Sequence, residues 1–169
     1  PLESVVGAIA AIGNTLAQLK QVHQIAHRDV KPGNLYHLDD EWLIGDFGLV
    51  AAPDIERMTR EGRQVGPVHF TAHEMISDPV NADPFPADVY SLAKTLWVIA
   101  TGQNYPPDGH QEHGTRGFSI AELRPHPHAD ALDKLVDVCT LIHPEKRFTM
   151  EQLVADLEAW ARLESGVGV

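Results

Sequence analysis

The sequence is poor in cysteine, in basic residues and in long apolar runs. One cysteine, Cys139, stands among 169 residues. That excludes an internal disulfide framework and suits a reducing compartment, so a cytoplasmic setting is expected. No stretch reaches the ~18 consecutive apolar residues of a membrane-spanning helix, and no membrane span is expected in this segment. The opening PLESVVGAIAAIG lacks a basic n-region, so no secretory leader is expected either. Lys and Arg number 13 against 24 Asp and Glu, which leaves a formal charge of −11. The cations are scattered, so neither nucleic acid nor an anionic membrane finds the basic face it needs.

What is present suits one soluble domain with a real core. Hydrophobic residues make up 43% and charged residues 22%, an ordinary globular balance for a single unit over 1–169. Val5, Ile9, Ile12, Leu16 and Leu19 recur at helical steps with Val22 one turn further, which predicts an amphipathic helix over 4–23 despite Gly13. LYHL, the turn DDE and WLIG predict a short hairpin. Residues 49–86 carry five prolines and no sustained period, so they read mostly as loop. ADVYSLAKTLWVIAT (87–101) is nearly apolar all round and predicts a buried central helix closed by Gly102. Residues 103–128 read again as loop. Two helices follow: one over 129–142, and one opened by a Thr149–Gln152 capping box that turns Leu153, Leu157 and Trp160 inward.

The chemistry sits at the ends of the hairpin. HRDVKPGN (27–34) precedes it and DFG (46–48) follows it. Short antiparallel strands bring their ends together, so Asp29, Lys31, Asn34 and Asp46 are expected to converge. A carboxylate and an amide oxygen are ligands Mg²⁺ accepts. A neighbouring cation offsets the charge of a transferring phosphoryl group. The remaining acid can orient a hydroxyl and take its proton.

HRDVKPGN followed by DFG resembles the catalytic and metal-binding loops of the protein kinases. The Lys two places after the Asp resembles the serine/threonine branch. GPVHFTAHE (66–74) looks like the end of the family's activation segment, DVYSLAKTLWVIATG like its central helix, and HPEKRFTMEQLVADL like its last loop and helix. The resemblance implies a kinase C-terminal, large lobe: mainly α with a short β-hairpin. Its parts would be a catalytic loop at 27–34, an activation segment at 46–74 and a helical remainder at 87–165. Asp29 is then the catalytic base, Lys31 steadies the γ-phosphate of ATP, and Asn34 and Asp46 hold Mg²⁺. His27 and Phe47 pack in the internal spine, Asp88 anchors the catalytic loop, and Glu74 pairs with Arg147. Arg28 implies control by a phosphate on the activation segment, with Thr59 as the phosphosite.

Two departures stand against the family pattern. Pro67 replaces the usual Thr that positions the substrate, and His73 replaces Pro before Glu74. Nothing matches the family's smaller, sheet-rich N-terminal lobe, with its Gly-rich loop, strand Lys and helix Glu. A fragment of a longer protein, inactive without that lobe, is therefore expected. Its partners would be the missing lobe and a protein carrying Ser or Thr. Apolar surface left open near Leu35 and Tyr36 would favour self-association. A pseudokinase scaffold and a small-molecule phosphotransferase of kinase-like fold remain as alternatives.

The other conspicuous residues have plain readings. The ten histidines include HQEH (110–113) and HPH (126–128), which sit in loops without cysteine and read as solvated. Trp42, Trp97 and Trp160 read as core, Cys139 as a buried thiol, and the acidic residues of the last helix as a solvated face.

Overall fold

A computed structural model describes residues 1–47 and 68–166 of the chain. Gly48, Thr59 and Pro67 lie outside the described residues, with most of the segment expected to carry activation control. Among the described residues the order is α1 (Leu2–His23), β1 (Leu35–Leu38), β2 (Glu41–Ile44), α2 (His73–Ser77), α3 (Pro84–Thr101), α4 (Ile120–Leu123), α5 (Ala129–Cys139) and α6 (Met150–Glu164). Single 3-10 turns lie at Pro32–Asn34, Val68–Phe70 and Pro144–Lys146.

Helix α3 is the axis of the core. From Ala87 to Val98 every residue is buried, and α1, α5 and α6 pack around it. It begins three residues ahead of the expected start, because Asp83 caps it by accepting the Phe85 N–H at 3.0 Å and Pro84 sits at its first position. Gly102 ends it in the left-handed conformation, φ 72. Lys94 interrupts the apolar run yet is fully buried. Its Nζ donates to the carbonyls of Pro107 and Gly109.

Helix α1 lays Leu2, Val6, Ile9, Ile12 and Leu16 into the core. Gly13 is where it crosses α6: a Cβ there would stand 2.6 Å from Val154 Cγ2. The glycine costs helix propensity but permits the close approach. Val22 points outward and is 68% exposed, so the apolar stripe stops a turn earlier than its spacing suggests. Among the described residues α1 alone has the length and apolar composition for a membrane crossing. Its inner face is spent on α6 and α3.

The hairpin pairs Leu35 with Ile44, Tyr36 with Leu43, His37 with Trp42 and Leu38 with Glu41. Asp39 and Asp40 both have positive φ (50 and 63), the backbone of a tight two-residue turn that matches strand twist. Leu35, Trp42 and Ile44 lean on the core, whereas Tyr36, Leu38 and Leu43 form an exposed apolar outer face.

Short helices occupy part of both stretches read as loop. Helix α4 forms because Ser119 caps it and Ile120 is fully buried. Helix α5 ends at Cys139, three residues before its expected end. Burial pushes the Cys139 thiol far above its ordinary pKa. Helix α6 carries the reciprocal capping box, with Leu153, Leu157 and Trp160 buried.

Candidate active site

The catalytic-loop segment starts where α1 is stopped. Gln24 turns left-handed (φ 53), and the N–H groups of Gln24 and Ile25 close back on the carbonyls of Lys20 and Leu19 at 3.0 and 3.1 Å. Ala26 and Val30 then plug into the core, each 1% exposed. Between them Asp88 of α3 accepts the N–H of His27 on Oδ2 at 2.7 Å and the N–H of Arg28 on Oδ1 at 2.8 Å. Burial pushes the Asp88 carboxyl up to about 6, against the pull of those two amides.

His27 links the two loops. Its Nδ1 accepts the Asp29 N–H at 3.3 Å, so its Nε2–H donates to the Gly45 carbonyl at 3.0 Å. That arrangement needs the neutral ring, and burial lowers the imidazole pKa accordingly. The Gly45 N–H donates to the Asn34 carbonyl at 2.9 Å. Gly45 is therefore the clasp that holds Asp46 beside Asn34. A Cβ on it would stand 2.9 Å from the Tyr36 ring. Sequence reasoning passed over Gly45, although its place at the end of β2, directly before the acid, was visible.

Asp29, Lys31 and Asn34 come together. Lys31 Nζ donates to Asp29 Oδ2 at 2.7 Å. Asn34 Nδ2 donates to the Asp29 carbonyl at 2.7 Å and to Asp29 Oδ2 at 3.1 Å. Asn34 is buried, held by the 3-10 turn that Pro32 opens. With its nitrogen facing Asp29, its oxygen is the amide's remaining ligand. The exposed Asp46 carboxylate and that oxygen are the kind of hard donors Mg²⁺ takes. Arg28 (φ 67) and Asp46 (φ 60) both sit in the left-handed region. Such residues cost roughly 1–3 kcal/mol each and persist where surrounding bonds overdetermine them.

Phe47 meets the His27 ring with centroids 4.8 Å apart, but it is 45% exposed. Thr59 lies outside the described residues, and with it any contact to Arg28.

Glu74 and Arg147 form a bidentate pair at 2.5 and 2.9 Å. Arg147 also donates to the carbonyls of Leu141, Pro86 and Ile142 at 2.7, 3.2 and 3.5 Å. Its guanidinium lies 5.1 Å from the Tyr90 ring centroid. Ser91 Oγ donates to the Phe70 carbonyl at 2.7 Å. Those bonds pin the segment from Phe70 to Glu74 onto α3.

The histidines are not simply solvated. His110 pairs with Asp137 at 2.6 Å and His113 with Asp130 at 2.7 Å. His126 and His128 both face Glu164. Each carboxylate comes from α5 or α6, distant in sequence from its imidazole, so the loop pattern could not reveal the pairing.

Asp29 bound by Lys31 and Asn34, with Asp46 following the clasp at Gly45, makes one polar cluster at the ends of the hairpin. Residues 3–157 match the model of the protein kinase domain, and the chain belongs to that family. It is 32% identical over 168 residues to serine/threonine-protein kinase PknL of Mycobacterium tuberculosis, covering 90% of this chain and 40% of that kinase. It is 32% identical over 123 residues to PknE of the same organism, covering 71% of this chain and 21% of that kinase. Both relatives are serine/threonine-protein kinases. The chain spans less than half the length of either.

Proposed function

We propose that this chain supplies the large lobe of a serine/threonine protein kinase that moves the γ-phosphate of Mg-ATP to a protein hydroxyl. The observation that carries the reading is the Asp29 carboxylate, held by Lys31 and Asn34 and joined to Asp46 through Gly45. In this reading Asp29 orients a hydroxyl and accepts its proton. Lys31 brings positive charge to the developing phosphoryl charge. Bound Mg²⁺, held by Asn34 and Asp46, supplies further charge neutralisation. The rest is positioning, done by Asp88, His27 and the Glu74–Arg147 pair.

We further propose that the second wall of the nucleotide cleft is a separate, sheet-rich lobe, without which this chain is inactive. Support comes from the outer hairpin face, where Tyr36, Leu38 and Leu43 are 52%, 59% and 42% exposed. Phe47 is 45% exposed as well. The proposed setting is cytoplasmic, in keeping with the single reduced thiol.

The test is transfer of labelled γ-phosphate to a Ser/Thr protein, with Mg²⁺. It compares this chain, the chain joined to a kinase N-terminal lobe, and the joined form carrying Asp29→Asn. Activity only in the joined form, lost with Asp29→Asn, supports the reading. A folded, ATP-binding but inactive joined form favours a binding module, to which Pro67 already points. Activity in the isolated chain sinks the second-lobe proposal.

A further inference from the structure

We propose that Glu3, His126 and Glu164 form a site for a divalent transition-metal ion, zinc by its donor set. The three come from the first turn of α1, the loop between α4 and α5, and the last residue of α6. Only the tertiary fold brings them together. His126 Nε2 lies 3.4 Å from Glu164 Oε2 and 3.7 Å from Glu3 Oε1. One ligand atom from each of the three lies within 4.8 Å of the others. Zinc bonds to imidazole and carboxylate run about 2.0–2.2 Å. A small swing of the half-exposed Glu3 side chain brings all three into reach of one ion.

Charge points the same way. Two carboxylates converge here, and Glu164 ends α6, where the helix dipole disfavours an anion. Glu164 Oε1 is buried without a hydrogen-bond partner, 3.6 Å from His128 Nε2. A bound cation compensates this excess. One imidazole nitrogen with two carboxylate oxygens suits zinc better than Mg²⁺ or Ca²⁺, which prefer oxygen alone. Water would complete the four-coordinate shell.

The surroundings hold the ligands in place. His126 stacks on Trp160 with centroids 5.4 Å apart, and Trp160 Nε1–H donates to the His128 carbonyl at 2.8 Å. Trp160 is 3% exposed, so the loop rests on a rigid base. His128 Nε2, at 3.6 Å, is too far to hydrogen-bond Glu164 Oε1 and leaves that oxygen open to the ion. Ligation through His126 Nε2 moves the ring proton to Nδ1. That gives up the 3.3 Å contact from the His128 N–H, a weak bond at that length. The ion would staple the start of α1 to the end of α6 and stabilise the fold by mass action. It has no part in phosphotransfer.

The experiment uses the full chain without a histidine tag, stripped with chelator and titrated with zinc chloride. Bound metal is counted after dialysis, and thermal unfolding is followed in parallel. The expected result is one zinc per chain and a rise in midpoint that chelator reverses. His126→Gln and Glu3→Gln should abolish both. His110→Gln, at the separate Asp137 pair, should leave both unchanged. Should His126→Gln fail to fold, Glu3→Gln on the exposed first turn decides alone. No stoichiometric zinc, or zinc retained by Glu3→Gln, overturns the proposal. So does a cluster that answers only to pH between about 5 and 7, which would make it a set of ion pairs.

Discussion

Asp88 and His27, 61 positions apart, are joined by a 2.7 Å bond from the His27 N–H to the Asp88 carboxylate. The second oxygen takes the Arg28 N–H. An axial core helix thereby holds the loop that presents Asp29.

Replacing Asp88 with Asn keeps its shape but sets an NH₂ group against one of two amide donors. One buried N–H then loses its acceptor, at a cost of about 1–3 kcal/mol. Urea unfolding should show the loss as a lower midpoint at unchanged slope. An unchanged midpoint would mean that the two amides find other acceptors.

The Glu74–Arg147 pair should behave as a buried pair with unequal ends. The Arg147 side chain is 1% exposed and Glu74 16%. Arg147→Met strands the carboxylate and also frees three carbonyls, so a loss of ~3–5 kcal/mol is expected. Glu74→Ala should cost less, because the remaining guanidinium keeps its carbonyl partners. A double-mutant cycle on unfolding free energies measures the coupling, and additive losses would deny it.

Lys94 gives a pH dependence of definite sign. Burial lowers its pKa from 10.5 to about 7, partly offset by Asp108. Between those values the unfolded chain holds a proton that the folded chain has released, so folding stability rises with pH. The neutral amine still has two N–H groups for the Pro107 and Gly109 carbonyls. From pH 7 to 8, below the range where the Cys139 thiol opposes it, the gain should be of the order of 1 kcal/mol. Lys94→Met should flatten that slope in denaturant titrations. A wild-type stability that is level or falls over this range would contradict the assignment.

Gly13 should resist even a methyl group. Gly13→Ala gains up to ~1 kcal/mol of helix propensity but drives a Cβ into Val154, and overpacking typically costs ~1–3 kcal/mol. A net loss is expected in thermal unfolding. Adding Val154→Ala should reduce the penalty attributable to the new methyl, and a cycle without coupling would place the cost elsewhere.

The outer hairpin face should drive self-association of the isolated chain. Leu38→Glu and Leu43→Lys place opposite charges on that face without touching the core. Light scattering should rise with concentration for the wild type and stay monomeric for the double variant. A wild type monomeric at all concentrations removes self-association from the account.

Local patterns made much of this molecule readable. The 3.6-residue spacing of α1, the apolar run of α3 and the Thr149–Gln152 box each encode their element within a few neighbouring residues. The strands around Asp39 and Asp40 were legible for the same reason, and hairpin geometry put Asp46 near Asn34. What the chain alone determined was therefore the order of the long helices and the hairpin, and the residue types of the site. The tertiary structure decided whatever needs partners far apart in sequence. It turned Val22 outward, buried Lys94 against two loop carbonyls, made Gly45 a clasp, and gathered Glu3, His126 and Glu164 at one corner. Those placements follow from packing against α3 and α6, and periodicity carries no information about which distant surface a side chain will meet.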